Sequence, residues 1–387
     1  MQYRQCKATG NKLSALGLGC MRFPRDKAET ERMLLKAIDG GLNYFDTAYI
    51  YPGSESTLGE ILAKNNKRKD IFLATKLPLM LCKKSEDFDK FFSEHFKRLQ
   101  TDYIDYYLLH NISSLTQWES LKKLGIEEWI AEKKKTGQIR HIGFSYHGTY
   151  DDFVKILDSY VWEFCMIQYN YYDENYQAGK KGLKAAAEKG LSVMIMEPLL
   201  GGRLATGLPG KAEKVFANAD PDITPAERAF RWLWNQDEVT VVLSGMSSVS
   251  QIEENISYIN SFKPLSDEES ALYTEVVDIF KESYKIPCTG CGYCLPCPKG
   301  INIPGCFSAL NARYSHGFMA AISLYANTTA FITKHPHIPR SCTGCGKCEK
   351  HCPQNIPIRK DLKKVTKTLE PLPVRMAIAL VRLIMAR

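Results

Sequence analysis

A chain of 387 residues, 44% hydrophobic and 24% charged, is too long for one small domain and too apolar to be disordered. Its net charge of +8 is uneven: residues 286–387 carry 14 Lys and Arg against 3 Asp and Glu, whereas the remainder carries 37 against 40. A basic tail on a near-neutral body fits an acidic partner, an anionic surface or balance for a bound anion, and no nucleic-acid role is expected.

The N-terminus, Met1–Lys7, lacks the apolar core of a secretory signal. The longest apolar tract, Met376–Met385, is broken by Arg382 and too short to span a bilayer, so a cytoplasmic protein is expected.

The first two-thirds alternate short apolar runs with longer amphipathic stretches. Strands are predicted at Leu16–Cys20, Leu42–Phe45, Ile71–Thr75, Ile104–Leu109, Arg140–Phe144, Cys165–Tyr169, Ser192–Met196 and Thr240–Leu243. Helices are predicted after each, at Ala28–Asp39, Glu55–Lys64, Ser85–Leu99, Trp118–Lys135, Tyr150–Ser159, Gln177–Lys189, Thr224–Asn235 and Ser250–Ile259. Eight alternations imply a parallel sheet with crossover helices and close as an α/β (β/α)8 TIM barrel. A doubly wound sheet is the alternative, but no G-x-G-x-x-G follows an early strand. Ser266 and Glu269 form a capping box for a helix that leads out of the barrel. The domains are therefore a barrel over 1–262, a linking helix over 263–285, a cysteine domain over 286–370 and a basic apolar C-terminal helix over 371–387. Between its cysteine runs, Ile301–Thr333 reads as two short helices.

Catalytic groups of such barrels stand at the C-terminal ends of strands. Reading those ends gives Asp46, Lys76, His110, Ser145, Gln168 to Asn170, and Glu197, with Tyr49 and Tyr51 in the loop after Asp46. A phenol is a weak acid, and an ammonium held by a carboxylate favours its phenolate. An imidazole beside it can polarise a carbonyl, and the group as a whole suits hydride transfer from a nicotinamide.

Three segments carry a resemblance. Asp46-Thr-Ala-x-x-Tyr51, Ile71-Phe-Leu-Ala-Thr-Lys76 and Asp105-Tyr-Tyr-Leu-Leu-His110 resemble the signatures of the aldo-keto reductase family over roughly residues 1–262. The resemblance implies that Tyr51 is the general acid, Lys76 tunes it, Asp46 holds Lys76 and His110 orients the carbonyl of a small-molecule substrate. It further implies that Ser145 and Gln168 hold the nicotinamide carboxamide. The loop with Leu199, Gly201 and Arg203, and the segment with Ser244, Gln251 and Asn255, would meet the cofactor's phosphates and adenine end. Four positions depart from the family pattern. Tyr146 replaces an Asn, and Met196 replaces the aromatic on which the nicotinamide stacks. Gly245 and Gln251 stand where NADPH-preferring members carry cations, so NADP and NAD both stay open.

Eight of the 13 cysteines form two runs, Cys288-x2-Cys291-x2-Cys294-x2-Cys297-Pro and Cys342-x2-Cys345-x2-Cys348-x3-Cys352-Pro. The second is the bacterial ferredoxin pattern, in which the fourth Cys ligates the other cluster. Two [4Fe–4S] clusters are thus expected, one on Cys288, Cys291, Cys294 and Cys352, the other on Cys342, Cys345, Cys348 and Cys297. A pair of Zn(Cys)4 sites is the competing reading. The helical spacer resembles the α-helical ferredoxin type, and Cys6, Cys20, Cys82, Cys165 and Cys306 are expected as buried thiols. Over the whole chain the resemblance is to aldo-keto reductases with a C-terminal ferredoxin domain, a group seen mainly in anaerobes.

Two functions follow. One is an NAD(P)H-dependent carbonyl reductase carrying clusters. The other is an electron-transfer protein that links the clusters, a barrel-bound redox centre and an acidic ferredoxin-like partner. Hydride carries two electrons and a cubane accepts one, so a flavin converter stays open although no flavin motif is evident. Lys347, Lys350, Arg359, Lys360, Lys363 and Lys364 could balance the clusters or dock such a partner. The apolar C-terminal segment could instead touch a membrane surface, a less favoured reading than a helix packed on its own domain.

Overall fold

The computed structural model describes residues 1–329 and 337–376. The chain divides into two compact units, Met1–Leu199 with Glu227–Leu265, and Leu200–Ala226 with Ser266–Arg387.

In the first unit, β1 (Tyr3–Gln5) and β2 (Lys12–Ser14) pair as an antiparallel hairpin. Next come β3 (Leu16–Gly19), β4 (Tyr44–Asp46), β5 (Phe72–Leu77), β6 (Ile104–Ile112), β7 (Ile139–Tyr146), β8 (Phe164–Gln168), β9 (Ser192–Met196) and β10 (Val239–Ser244). These eight form a closed barrel in the order β10-β3-β4-β5-β6-β7-β8-β9, parallel at every pairing. Tyr44, Ala74, Tyr106, Phe164, Met166, Met194 and Val241 fill the interior, and Cys6 and Leu13 of the hairpin segment join the same cluster. Each of the large apolar side chains among them, such as Leu13, Phe164 and Met166, contributes about 1.5–3 kcal/mol by leaving water. Because β2 runs directly into the start of β3, the hairpin plugs the N-terminal mouth. The C-terminal strand ends are left to carry polar groups.

The helices up to Ser261 are α1 (Lys27–Asp39), α2 (Ser54–Lys64), α3 (Glu86–Leu99), α4 (Leu115–Lys122), α5 (Ile126–Lys135), α6 (Tyr150–Asp158), α7 (Gly179–Glu188), α8 (Arg203–Thr206), α9 (Gly210–Ala219), α10 (Pro225–Trp234) and α11 (Val249–Ser261), of which α8 and α9 belong to the second unit. α1 is capped by Asp26, whose side chain accepts from the Ala28 N–H, and buries Met33, Leu34 and Ala37. The helix predicted over Trp118–Lys135 is two, α4 and α5, because Gly125 adopts a left-handed φ of 80° between them. The hairpin, α8 and α9 were not predicted.

The second unit starts with α12 (Asp267–Ser283), where the capping box of Ser266 and Glu269 is present in both directions. Within this unit α9 packs on α12 through Phe216 and Tyr273, whose ring centroids lie 5.6 Å apart. α13 (Ile303–Ser315), α14 (Phe318–Thr329), α15 (Lys347–Lys350) and α16 (Ile358–Leu369) follow. Ile303, Phe307, Leu310, Tyr325, Leu362 and Val365 form its core, and five of the eight run cysteines pack against it. No described helix is long and apolar enough to cross a membrane. The C-terminal helix expected from the sequence lies, from residue 377 on, outside the described residues.

Candidate active site and cysteine cavities

Asp46 ends β4, and Lys76 and His110 lie near the ends of the next two strands, inside β5 and β6 rather than just beyond them. Parallel register sets these strands side by side, so the side chains converge. The Lys76 ammonium donates to Asp46 Oδ1 at 2.6 Å and to the Thr47 carbonyl at 2.7 Å. Both members of the pair are buried, with side-chain exposures of 1% and 6%. The turn after β4 carries Tyr51 over this pair, with Lys76 Nζ 5.3 Å from its ring centroid. The His110 ring stands perpendicular to Tyr51 at a centroid distance of 6.1 Å.

Burial dominates the electrostatics. It pushes the Asp46 carboxyl above the ordinary carboxylate range, and Lys76 opposes that rise. Burial, aided by the Lys76 charge, drives the His110 imidazole well below its usual value, so the ring is neutral near pH 7. Asp46 Oδ2 is buried without a hydrogen-bond partner, which leaves Lys76 as the carboxylate's main support.

Sequence reasoning missed the groups that hold this turn. Glu55 of α2, buried, accepts from Thr75 at 2.6 Å and contacts His95 Nδ1 at 2.5 Å. Arg98 reaches its second oxygen at 3.2 Å, donates to the Tyr49 carbonyl at 3.1 Å and covers the Tyr49 ring at 4.1 Å. Burial would raise the Glu55 carboxyl, but His95, Thr75 and Arg98 outweigh it and hold the group below its ordinary value. Tyr49 is thereby spent on Arg98 and Phe91, and Tyr51 is the phenol beside Lys76. The available signal was a polar residue inside an apolar helical stripe: His95 lies among Phe91, Phe92 and Leu99, all buried on α3.

In the second unit the run cysteines line two cavities. Cys288, Cys291, Cys294 and Cys352 surround one. Cys294, Cys297, Cys342, Cys345 and Cys348 line the other, so Cys294 borders both. Cys352 thus lines a cavity with the first run and Cys297 one with the second, the arrangement that exchange of the fourth ligand would require. Gly290, Gly292, Gly344 and Gly346 all have φ between 72° and 83°, so both Cys-Thr-Gly-Cys-Gly loops wrap alike. Thiols spread around a cavity suit separate irons of one cluster better than a single zinc. Cys6, Cys20, Cys82, Cys165 and Cys306 are buried, as expected.

A model of the aldo/keto reductase family matches residues 15–278, and a model of the 4Fe-4S dicluster domain matches residues 287–357. The chain belongs to the aldo-keto reductase family. Similar proteins include an uncharacterized oxidoreductase, YqkF, of Bacillus subtilis, 28% identical over 73% of this chain and 99% of its own. L-galactose dehydrogenase of Arabidopsis thaliana is 28% identical over 70% and 92% of the two chains, and L-glyceraldehyde 3-phosphate reductase of Escherichia coli 25% over 72% and 93%. Among solved structures, the holo form of aldo-keto reductase AKR11C1 from Bacillus halodurans matches with a TM-score of 0.61 and 26% identity. That match covers 71% of this chain and 96% of the other. This aldo-keto reductase is therefore an oxidoreductase with a C-terminal iron–sulfur domain.

The residues expected at its cofactor are placed as follows. Ser145, at the end of β7, accepts from the Asn111 N–H at 2.8 Å. Gln168, at the end of β8, donates to Asp173 at 2.7 Å and accepts from Gln177 at 3.2 Å, and Gln177 meets His147 at 3.1 Å. Burial lifts Asp173 to about 6, against its hydrogen bonds from Gln168 and Asn170. Tyr146 turns away to the Thr149 carbonyl at 2.5 Å and does not substitute for the family's Asn. Met196 is half-buried against the barrel interior, and Leu199 is half-buried at the end of the first unit. Asn255 donates to Ser244 at 2.9 Å, and the Gln251 carbonyl accepts from Ser247 at 2.7 Å, so both brace the loop between β10 and α11.

Gly201 and Arg203 are placed in the second unit. Arg203, expected at phosphates, donates to the Cys288 carbonyl at 3.0 Å and to Ser308 at 3.4 Å. Gly201 has φ 66°, and a Cβ there would stand 1.9 Å from the Thr289 carbonyl oxygen. Only glycine permits that approach.

Proposed function

We propose that this aldo-keto reductase reduces a small-molecule carbonyl with NAD(P)H, Tyr51 supplying the proton. The buried Lys76–Asp46 pair beneath Tyr51, with neutral His110 perpendicular to it, carries this reading. Ser145 and Gln168 suit a carboxamide, because each is a polar group at a strand end with its orientation fixed by a neighbour. Met196, Leu199, Ser244, Gln251 and Asn255 would line the remainder of the cofactor. Arg203 is withdrawn from that role by its bonds to Cys288 and Ser308. Bound nicotinamide supplies the hydride that reaches the carbonyl carbon.

The chain's residues handle the oxygen. Neutral His110 donates a hydrogen bond to it and fixes its direction. Tyr51 passes its phenolic proton to the developing alkoxide, and the adjacent Lys76 ammonium stabilises the phenolate left behind. Asp46 holds Lys76 in place. Tyr51 is then reprotonated from solvent.

The two cysteine sets would hold two [4Fe–4S] clusters, each a one-electron station. Direct exchange with a hydride donor would need a two-to-one converter, for which a flavin is the natural class. Anaerobic purification with iron, sulfide and flavin analysis, then NAD(P)H oxidation with a carbonyl panel, tests the reading. About eight irons per chain and turnover lost in Tyr51→Phe but kept in Tyr49→Phe are expected. Iron-free protein would remove the clusters, and full turnover in Tyr51→Phe would remove the acid.

A further inference from the structure

The two cysteine loops share a backbone but not an environment. Cys288 and Thr289 of the first are buried, and the Cys288 carbonyl accepts from Tyr284 at 2.8 Å as well as from Arg203. Thr343, Gly344 and Cys345 of the second are exposed. Arg359, the second residue of α16, clasps that exposed loop, donating to the Gly344 carbonyl at 3.4 Å and pairing with Glu349 at 2.7 Å.

From Arg359 a line of cations runs along α16. Lys360, Lys363, Lys364 and Lys367 are all exposed, at helical positions i, i+3, i+4 and i+7, while Ile358, Leu362, Val365 and Leu369 are buried on the opposite face. The nearby acids do not neutralise it. Asp361 is buried and takes Lys364, and Glu370 is buried between Tyr325 and Arg340. Lys360, Lys363 and Lys367 make no ion pair among the described residues. Unpaired lysines add nothing to stability and keep their field for whatever approaches.

We propose that this stripe is the docking surface for an acidic one-electron carrier protein, which exchanges electrons through the cluster held by Cys297, Cys342, Cys345 and Cys348. The inference rests on the reading of the cysteine sets as [4Fe–4S] sites. The exposed loop brings a partner close to those thiolates, and the stripe beginning on the same loop orients an acidic face against it. In the step one electron leaves the reduced carrier, which is oxidised by one, and enters the oxidised cluster, which is reduced by one. No bond forms or breaks and no proton is required. The other cysteine set, with its buried first loop, is then the inner station. A phosphorylated or lipid anion would also feel the charge. Only an electron carrier, however, explains why the stripe starts at a redox site.

The test uses the full-length protein, purified anaerobically with its clusters oxidised. A reduced acidic ferredoxin is mixed with it, and cluster bleaching is followed by stopped flow. The triple variant Lys360→Glu/Lys363→Glu/Lys367→Glu is expected to slow the second-order rate by about tenfold or more. Raising salt from about 0.01 M to about 1 M should slow wild type similarly, since the screening length falls from ~30 Å to ~3 Å. Amidating the carrier's carboxylates should do the same, while at about 1 M salt, where the charge of the dithionite anion is screened, dithionite reduces the triple variant at the wild-type rate. Equal rates for wild type, variant and amidated carrier would overturn the proposal. So would binding to phosphatidylglycerol vesicles that the triple variant abolishes while carrier rates hold. No bleaching by dithionite in wild type would instead remove the [4Fe–4S] reading itself, and this proposal with it.

Discussion

The barrel site and the cysteine unit treat charge in opposite ways. Around the barrel site Lys76 is answered by Asp46, and Glu55 by His95 and Arg98. In the cysteine unit buried Asp361 and Glu370 are answered, but the cations of α16 are left outward and largely unpaired. Pairing suits a site that must fix one phenol, one ammonium and one imidazole in a dry pocket. Excess suits a surface whose ligand arrives from solution.

If that contrast holds, perturbing the barrel should cost most. Lys76→Met leaves the Asp46 carboxylate buried and alone, and should destabilise the first unit by about 3–5 kcal/mol, read from urea melts followed at barrel tryptophans. Carbonyl turnover should be lost with it. A melt near the wild-type midpoint would show that the pair is not buried as described.

The next effect is pH-dependent. Folding raises Asp173 to about 6 from an ordinary value of about 3.9, so the folded state holds that proton more tightly. Its contribution is fully present below about pH 4 and lost as pH rises through about 6, a change of about 3 kcal/mol. Asp173→Asn should therefore gain stability at pH 7 and flatten the profile between pH 4 and 7. A profile unchanged by the substitution would contradict the burial argument.

Smaller still, Arg203→Met removes two hydrogen bonds beside Cys288 and should cost the second unit ~2 kcal/mol. Its iron content should fall before that of an Arg359→Met variant on warming. Smallest of all, Lys363→Ala should move stability by no more than about 0.5 kcal/mol. A large loss there would mean the stripe is structural and would erase the contrast.

The sequence made the barrel readable because eight apolar runs alternate with amphipathic stretches, and each strand end displays its polar residue. The four residues around Tyr51 were readable for the same reason. The hairpin was not, since strands of three residues leave no period to count. Residues 200–223 read as loop because Gly201, Gly202, Gly207 and Pro209 punctuate them. Contacts such as Phe216 on Tyr273 and Arg203 on Cys288 give the segment to the other unit. Glu55, His95 and Arg98 were hidden for a third reason: on a helix they are ordinary polar residues, and their partners come from other elements.

The central claim is that barrel chemistry moves a hydride while the clusters move single electrons. Supplying NAD(P)H deuterated at the transferring carbon, with a carbonyl substrate under anaerobic conditions, tests it directly. One deuterium per product is expected, on the former carbonyl carbon, unchanged by the Lys360→Glu/Lys363→Glu/Lys367→Glu substitutions. Product formed at full rate without deuterium would mean that its electrons came through the clusters and its hydrogen from solvent, which would contradict the claim.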